Sequence, residues 1–269
     1  MIAASAHMRR VEIAGVAIEL AETGKGRPLV FLHGGHPSGR LDPQSRIVEA
    51  LGESFRFIAP THPGFGSTPA PPQLTAIDDL AYLYLDLLDA LHLKDVVLVG
   101  ASLGGWIAAE MAVKTTDRLS QLVLIDSVGI KVSDRETRDI ADIYALPDRQ
   151  LAEVAYADPQ RMVRDTKSLP DEELVLIARS REATGRYAWS PYMHNPKLKS
   201  RLHRIRIPTL LLWGEADRIV KPEYGRAFAA EIPGAQFALI ENAGHFPQLE
   251  QPNAVAHRIV DFVAEASHR

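Results

Sequence analysis

The chain has 269 residues, a formal charge of −4, and is 46% apolar and 24% charged. That length accommodates one α/β unit with a sizeable core, and so mild a charge offers no electrostatic footprint for nucleic acid or an anionic membrane surface. Cysteine is absent, which excludes disulfides, a thiolate nucleophile and a Cys-based zinc site and is compatible with a reducing cytoplasm.

The N-terminus MIAASAHMRR puts its arginines after a short apolar stretch, the reverse of a secretory signal. No apolar run approaches the roughly 18 residues of a membrane helix. A cytoplasmic location is expected, with Met8 a possible second start and the first seven residues dispensable.

VEIAGVAIEL (11–20) alternates apolar and polar residues and breaks at Gly15, which predicts two short antiparallel strands. PLVFLHG (28–34) is a continuous apolar run ending in glycine, the pattern of a strand buried on both faces. It opens onto His33-Gly34-Gly35-His36, where glycine lets the backbone approach a ligand closely. FRFIAP (55–60) predicts another strand, followed by the turn-rich PGFGSTP. Over residues 74–91, Leu74, Ile77, Leu80, Ala81, Tyr84, Leu87, Leu88 and Leu91 share one face of an amphipathic helix.

DVVLVGAS (95–102) is a buried strand that runs into the helical pattern GGWIAAEMAVKTT. At the junction stands Gly100-Ala101-Ser102-Leu103-Gly104, a G-x-S-x-G. A sharp strand-to-helix turn strains the serine backbone and lifts its Oγ clear of the sheet, and the flanking residues must be small because strand and helix approach closely. LSQLVLIDSV (119–128) is the next strand and carries Asp126 at its end. Residues 129–195 then break the rhythm: they are rich in charge, contain the helical patterns ETRDIADIYAL and DEELVLIARSREA, and predict no strand. They read as an inserted helical cap over a core formed by 1–128 and 196–269, at the strand ends where open α/β sheets bind ligands. Tyr144, Tyr156, Tyr187, Trp189, Tyr192 and Met193 supply apolar surface there, either to a pocket or to packing of the cap on the core.

TLLLWGEAD (209–217) and AQFALIENAG (235–244) are two further strands, each followed by a helical stretch. Strands alternating with helices imply right-handed crossovers, so the expected architecture is α/β: a doubly wound, mostly parallel sheet with antiparallel strands at its N-terminal edge.

A serine hydroxyl needs a base, and the base needs an orienting acid. His245, in Asn242-Ala243-Gly244-His245-Phe246-Pro247, follows the last strand and is the candidate base. Asp217 and Asp126 compete for the acid; Asp217 is favoured because its strand directly precedes the one leading to His245. A tetrahedral intermediate needs donors for its oxyanion. The N–H groups of Leu103 and Gly35 are the candidates, with His36 the alternative to Gly35, while His33 is expected to brace its loop. His62 and His92 read as structural or exposed. The remaining histidines show no metal-ligand spacing, and GFGSTP lacks dinucleotide-binding context. Neither a metal nor a cofactor is expected.

HGG after an early strand, P-G-F-G-S, G-x-S-x-G, the Gly214-to-Asp217 segment and Ala243-Gly244-His245 occur in an order that resembles the α/β-hydrolase family, in particular its capped, small-molecule members. The resemblance spans nearly the whole chain outside the cap. It implies the α/β-hydrolase fold, cofactor-independent hydrolysis with Ser102, Asp217 and His245 in the matching positions, and a cap that selects the substrate. Members with an aspartate nucleophile, the haloalkane dehalogenases and epoxide hydrolases, are excluded by Ser102. Ring-cleavage C–C hydrolases are similar, but many carry asparagine before the serine and tryptophan after the histidine, where this chain has Ala101 and Phe246.

The expected activity is therefore cleavage of small-molecule carboxylic esters through an acyl-enzyme. Three alternatives stand beside it: a C–C bond hydrolase acting on a vinylogous diketone, an acyltransferase or perhydrolase, and a ligand-binding receptor that keeps the fold. The expected partner is a small-molecule substrate, with no nucleic acid and no membrane. Nothing in the residues specifies an oligomeric state.

Overall fold

A computed structural model describes residues 6–35, 41–162 and 166–266. In chain order the strands are β1 (His7–Ile13), β2 (Val16–Thr23), β3 (Pro28–Leu32), β4 (Arg56–Pro60), β5 (Val96–Ala101), β6 (Leu119–Ile125), β7 (Thr209–Gly214) and β8 (Gln236–Ile240). The helices are α1 (Arg46–Gly52), α2 (Ile77–Ala90), α3 (Leu103–Lys114), α4 (Asp148–Ala155), α5 (Pro159–Met162), α6 (Asp171–Ala188), α7 (Pro222–Ala230), α8 (Pro247–Glu250) and α9 (Pro252–Ala266). Short 3₁₀ turns cover Thr166–Ser168 and Lys199–Arg204.

The strands form one 8-stranded sheet in the order β1-β2-β4-β3-β5-β6-β7-β8. The β1–β2 and β2–β4 pairs are antiparallel and the rest are parallel, as the strand patterns predict. Two apolar layers result from the period-2 geometry of the strands. Val30, Leu32, Leu98, Leu122, Leu124, Leu211 and Trp213 face the layer that holds α2 and α3. Leu29, Phe31, Val97, Val99, Val123, Ile125, Leu210 and Leu212 face the layer that holds α1 and α9. A strand buried on both faces has no polar position left, hence the unbroken apolar runs. Among the described residues, no helix is long and apolar enough to cross a membrane.

Some departures from the sequence expectations have a clear local reason. β1 begins within the stretch expected to be dispensable: His7 pairs with Glu22, and Glu22 also binds Arg9 at 2.8 Å and Arg56 at 2.6 Å. α2 starts at Ile77 rather than near Leu74, because the Asp79 carboxylate turns back to accept the N–H groups of Thr75 and Ala76 at 2.8 and 2.9 Å. ETRDIADIYAL forms no helix. Its acids bind backbone instead, an alternative to the helical ladder. Asp139 accepts from Val132 and Ser133, Asp142 accepts from Tyr144 and Ala145, and the Ala141 N–H donates to Ile219 at 2.9 Å. DEELVLIARSREA does form α6.

The excursion after β6 leaves and returns at one place. The Gly129 N–H donates to Met193 at 3.0 Å, and the Asn195 N–H donates back to Gly129 at 2.9 Å. From α3, the fully buried Glu110 carboxylate accepts from Asn195 Nδ2 at 2.7 Å and Trp106 Nε1 at 3.3 Å. Both ends of the excursion are thereby tied to the helix that follows Ser102.

Candidate active site

Ser102 sits between β5 and α3 with φ 51° and ψ −113°, a conformation that costs an L-residue of order 1–3 kcal/mol. Its surroundings hold it there. The Ser102 N–H donates to the Ile125 carbonyl at 2.8 Å, and its own carbonyl accepts from Trp106 at 3.1 Å. The glycines of the motif are required by contact. A Cβ on Gly100 would strike the Gly104 carbonyl, and one on Gly104 would strike the Leu32 carbonyl. Turn, helix and the end of β3 are thus pressed together.

His245 follows β8. Its backbone N–H donates to the Ala155 carbonyl at 2.6 Å. The preceding Gly244 N–H donates to Glu250 Oε2 at 2.6 Å, while Glu250 Oε1 accepts from Ala157 at 2.8 Å. A Cβ on Gly244 would overlap Ala155 and Tyr156, so this turn lies directly against the chain after α4. The imidazole is buried, with the Phe246 ring 5.0 Å away and the Tyr156 ring tilted against Phe246 at 5.3 Å.

Three distant residues meet in one relay. Ser102 Oγ lies 2.8 Å from His245 Nε2, and His245 Nδ1 lies 2.8 Å from Asp217 Oδ2. Asp217 Oδ1 accepts the N–H groups of Ile219 and Val220 at 2.8 and 3.0 Å, which locks the carboxylate plane. An acceptor-only carboxylate at Nδ1 puts a proton there and leaves Nε2 free to accept from the serine hydroxyl. The rival acid, Asp126, is close by. A carboxylate oxygen of Asp126, one of Asp217 and a ring nitrogen of His245 lie within 4.8 Å of one another. This trio is a poor cation site, because both imidazole nitrogens are already engaged.

Leu103 opens α3, and among the described residues its N–H has no acceptor. Gly34 abuts Ser102: a Cβ there would come within 3.0 Å of the serine Cβ. Gly35 lies beneath α6, 2.8 Å in the same sense from Thr184 Oγ1. The alternative donor His36 lies outside the described residues.

The loop that presents Gly34 and Gly35 is clamped by two histidines. His33 Nδ1–H donates to the Gly34 carbonyl at 2.8 Å and its Nε2 accepts the His62 N–H at 3.0 Å. His62 Nε2–H returns a bond to the His33 carbonyl at 2.8 Å, and its Nδ1 accepts from the Tyr84 hydroxyl. The two rings stack 3.8 Å apart. Each ring therefore has one donating and one accepting nitrogen, the pattern of neutral imidazole. Burial drives His33 down to about 4 and His62 well below its ordinary value, the latter reinforced by the charge His33 would carry. His62 is thus structural, and fully buried rather than exposed.

Of the aromatic residues after β6, Tyr156 is the one that reaches the imidazole's neighbour. Tyr187 donates to the Pro63 carbonyl at 3.0 Å, Tyr144 to Arg181 and Tyr192 to Ala141, each at 2.9 Å. Trp189 is 57% exposed and packs against Tyr144 and Tyr192. Glu250, Thr184 and Tyr84 carry no sequence signal for their roles, since each is defined by a partner far away in the chain.

The profile of the Alpha/beta hydrolase family matches residues 29–258. The 2-hydroxymuconate semialdehyde hydrolase of Pseudomonas sp. (strain CF600) is 28% identical, covering 96% of this chain and 94% of its own length. A solved thermophilic esterase from Thermogutta terrifontis, with malate bound, is 26% identical with a TM-score of 0.70, covering 97% of this chain and 99% of that one. A solved variant of the meta-cleavage product hydrolase of Pseudomonas fluorescens IP01 superimposes with a TM-score of 0.77 at 22% identity, covering 96% of this chain and 98% of that one.

Proposed function

The chain belongs to the alpha/beta hydrolase family, and on that premise we propose that it is a serine hydrolase that cleaves carboxylic esters of small molecules through an acyl-enzyme. One observation carries this reading: the unbroken relay from Ser102 Oγ through His245 to Asp217, with both links at 2.8 Å.

In this mechanism Ser102 attacks the ester carbonyl as its proton passes to His245 Nε2. Asp217 keeps the Nδ1 proton in place and stabilises the imidazolium. The Leu103 and Gly35 N–H groups receive the oxyanion, aided by the positive end of α3. His245 then gives its proton to the leaving alcohol and activates the water that releases the acid. Residues 129–195 act as the cap, and Thr184 and Tyr156 contribute walls of the acyl or alcohol pocket.

C–C bond hydrolysis of a vinylogous diketone is the second reading, favoured by the likeness to the semialdehyde hydrolase from strain CF600. Such a substrate offers more polar atoms to hold than a simple ester. The side chains at the two positions flanking the relay supply no hydrogen-bond donor: Ala101 points into the apolar layer behind the sheet, and the Phe246 ring stands beside the imidazole. This supports the ester reading.

A panel of p-nitrophenyl esters of varied acyl length, run beside a coloured vinylogous diketone, tests both. Esters are expected to turn over faster, and Ser102→Ala is expected to lower turnover by several orders of magnitude. Near-normal ester turnover by Ser102→Ala would remove the mechanism, and preferential bleaching of the diketone would transfer the assignment to C–C cleavage.

A further inference from the structure

Asp126 is fully buried at the end of β6, with φ 42°. Its Oδ1 accepts the Gly214 N–H at 2.9 Å. Among the described residues no donor reaches its Oδ2, which is also buried. Yet a carboxylate oxygen of Asp126 and one of Asp217 lie within 4.8 Å of each other, and Glu250 adds a further negative charge nearby. Asp217 accepts from the N–H groups of Ile219 and Val220 and from His245 Nδ1, which leaves room for one further donor. Two carboxylates this close in a buried site disfavour double ionisation, and among the described residues no Lys or Arg pairs with either. Of the two, Asp217 has three donors to stabilise a negative charge and Asp126 has one.

We propose that Asp126 is a positioning residue: a neutral carboxylic acid whose Oδ2–H donates to the Asp217 carboxylate, so that the acid of the relay is held from the sheet side while His245 is held from the other. Burial, the charge of Asp217 and a hydrogen bond to it all push the Asp126 carboxyl well above the ordinary carboxylate range, consistent with that state. Asp217 would then be anchored by four donors, three from loops and one from the end of a central strand. The role in turnover rests on the proposed hydrolase reading; the shared proton does not.

The test exploits the fact that asparagine copies a neutral acid, with one acceptor for Gly214 and one donor for Asp217, but cannot copy an ionised one. Infrared difference spectra of the whole protein at neutral pH, wild type minus Asp126→Asn, are expected to show the carbonyl stretch of a protonated carboxyl, shifted in D2O. With the best ester of the panel, Asp126→Ala is expected to lose roughly 10- to 100-fold in kcat, the worth of one hydrogen bond to a charged group, with KM little changed. Asp126→Asn is expected to recover most of that loss. Absence of the infrared band, or an asparagine variant as slow as the alanine one, would overturn the proposal. Should Asp126→Ala fail to fold, the band alone decides. Because the band needs no turnover, its presence in a protein without esterase activity would discard the hydrolase reading and leave the paired carboxyls standing.

Discussion

The backbone N–H of His245 donates to the carbonyl of Ala155, 2.6 Å away, so the proposed base is held by the last residue of a helix in the excursion after β6. Glu250 reinforces this join by accepting from Gly244 on one side and Ala157 on the other. Glu250→Ala should therefore loosen the histidine turn and the excursion together. We expect a loss of about 2 kcal/mol or more, since each of these bonds ends on a charged acceptor, and a fall of roughly tenfold in kcat. Glu250→Gln, which retains one acceptor oxygen, should fall between. Urea unfolding and steady-state ester kinetics measure both, and an alanine variant matching wild type in each would show the clasp to be idle.

The strain at Ser102 is a second target. With φ at 51° and ψ at −113°, the position suits glycine better than any L-residue. Ser102→Gly and Ser102→Ala both delete the hydroxyl, but only glycine relieves the backbone. The glycine variant should be more stable than the alanine variant by about 1 kcal/mol, read as a higher Tm. Equal Tm values would mean that the turn stores no strain.

Acidification should weaken the histidine clamp. His33 is neutral in the fold down to about 4, whereas in the unfolded chain it takes up a proton near 6.5. Between these values the unfolded state binds more protons, so stability falls as pH falls through this window. The His33 contribution reaches about 3 kcal/mol by pH 4, and His62 acts in the same direction. Chemical unfolding from pH 7 to pH 4.5, with NMR of the imidazole protons, checks this: a His33 resonance that titrates near 6.5 would contradict it.

Asp126 gives the opposite slope. Its folded carboxyl lies above the unfolded value of about 3.9. Below that value both states are protonated and nothing is lost. Above it the unfolded chain has released the proton while the fold retains it, so this group's effect on stability becomes less favourable as pH rises, until the folded carboxyl itself ionises. Asp126→Asn has no such proton to keep. Its Tm relative to wild type should climb between pH 4 and pH 8; a pH-independent difference would show that Asp126 titrates normally.

Much of this was legible in the residues alone, because burial and tight turns leave local marks. The apolar runs at 28–32, 96–101, 119–125 and 209–214 mark strands covered on both faces, and the small residues around Ser102 follow from a strand and helix in near contact. The sequence order also anticipates that the loop of Asp217 lies beside that of His245, since β7 and β8 are adjacent and the two side chains come within 2.8 Å. Other features depend on partners distant in the chain, for which no local pattern exists. Residues 136–146 have helical periodicity, but Asp139 and Asp142 find backbone partners and Ile140 pairs with Val220. Glu250 reads as an ordinary helical acid until the fold sets Gly244 and Ala157 on its two oxygens. Asp126 and Asp217 look like rival candidates for one role in the sequence; only the packing of β6 beside β7 buries both carboxyls within 4.8 Å of each other, where they act as a pair.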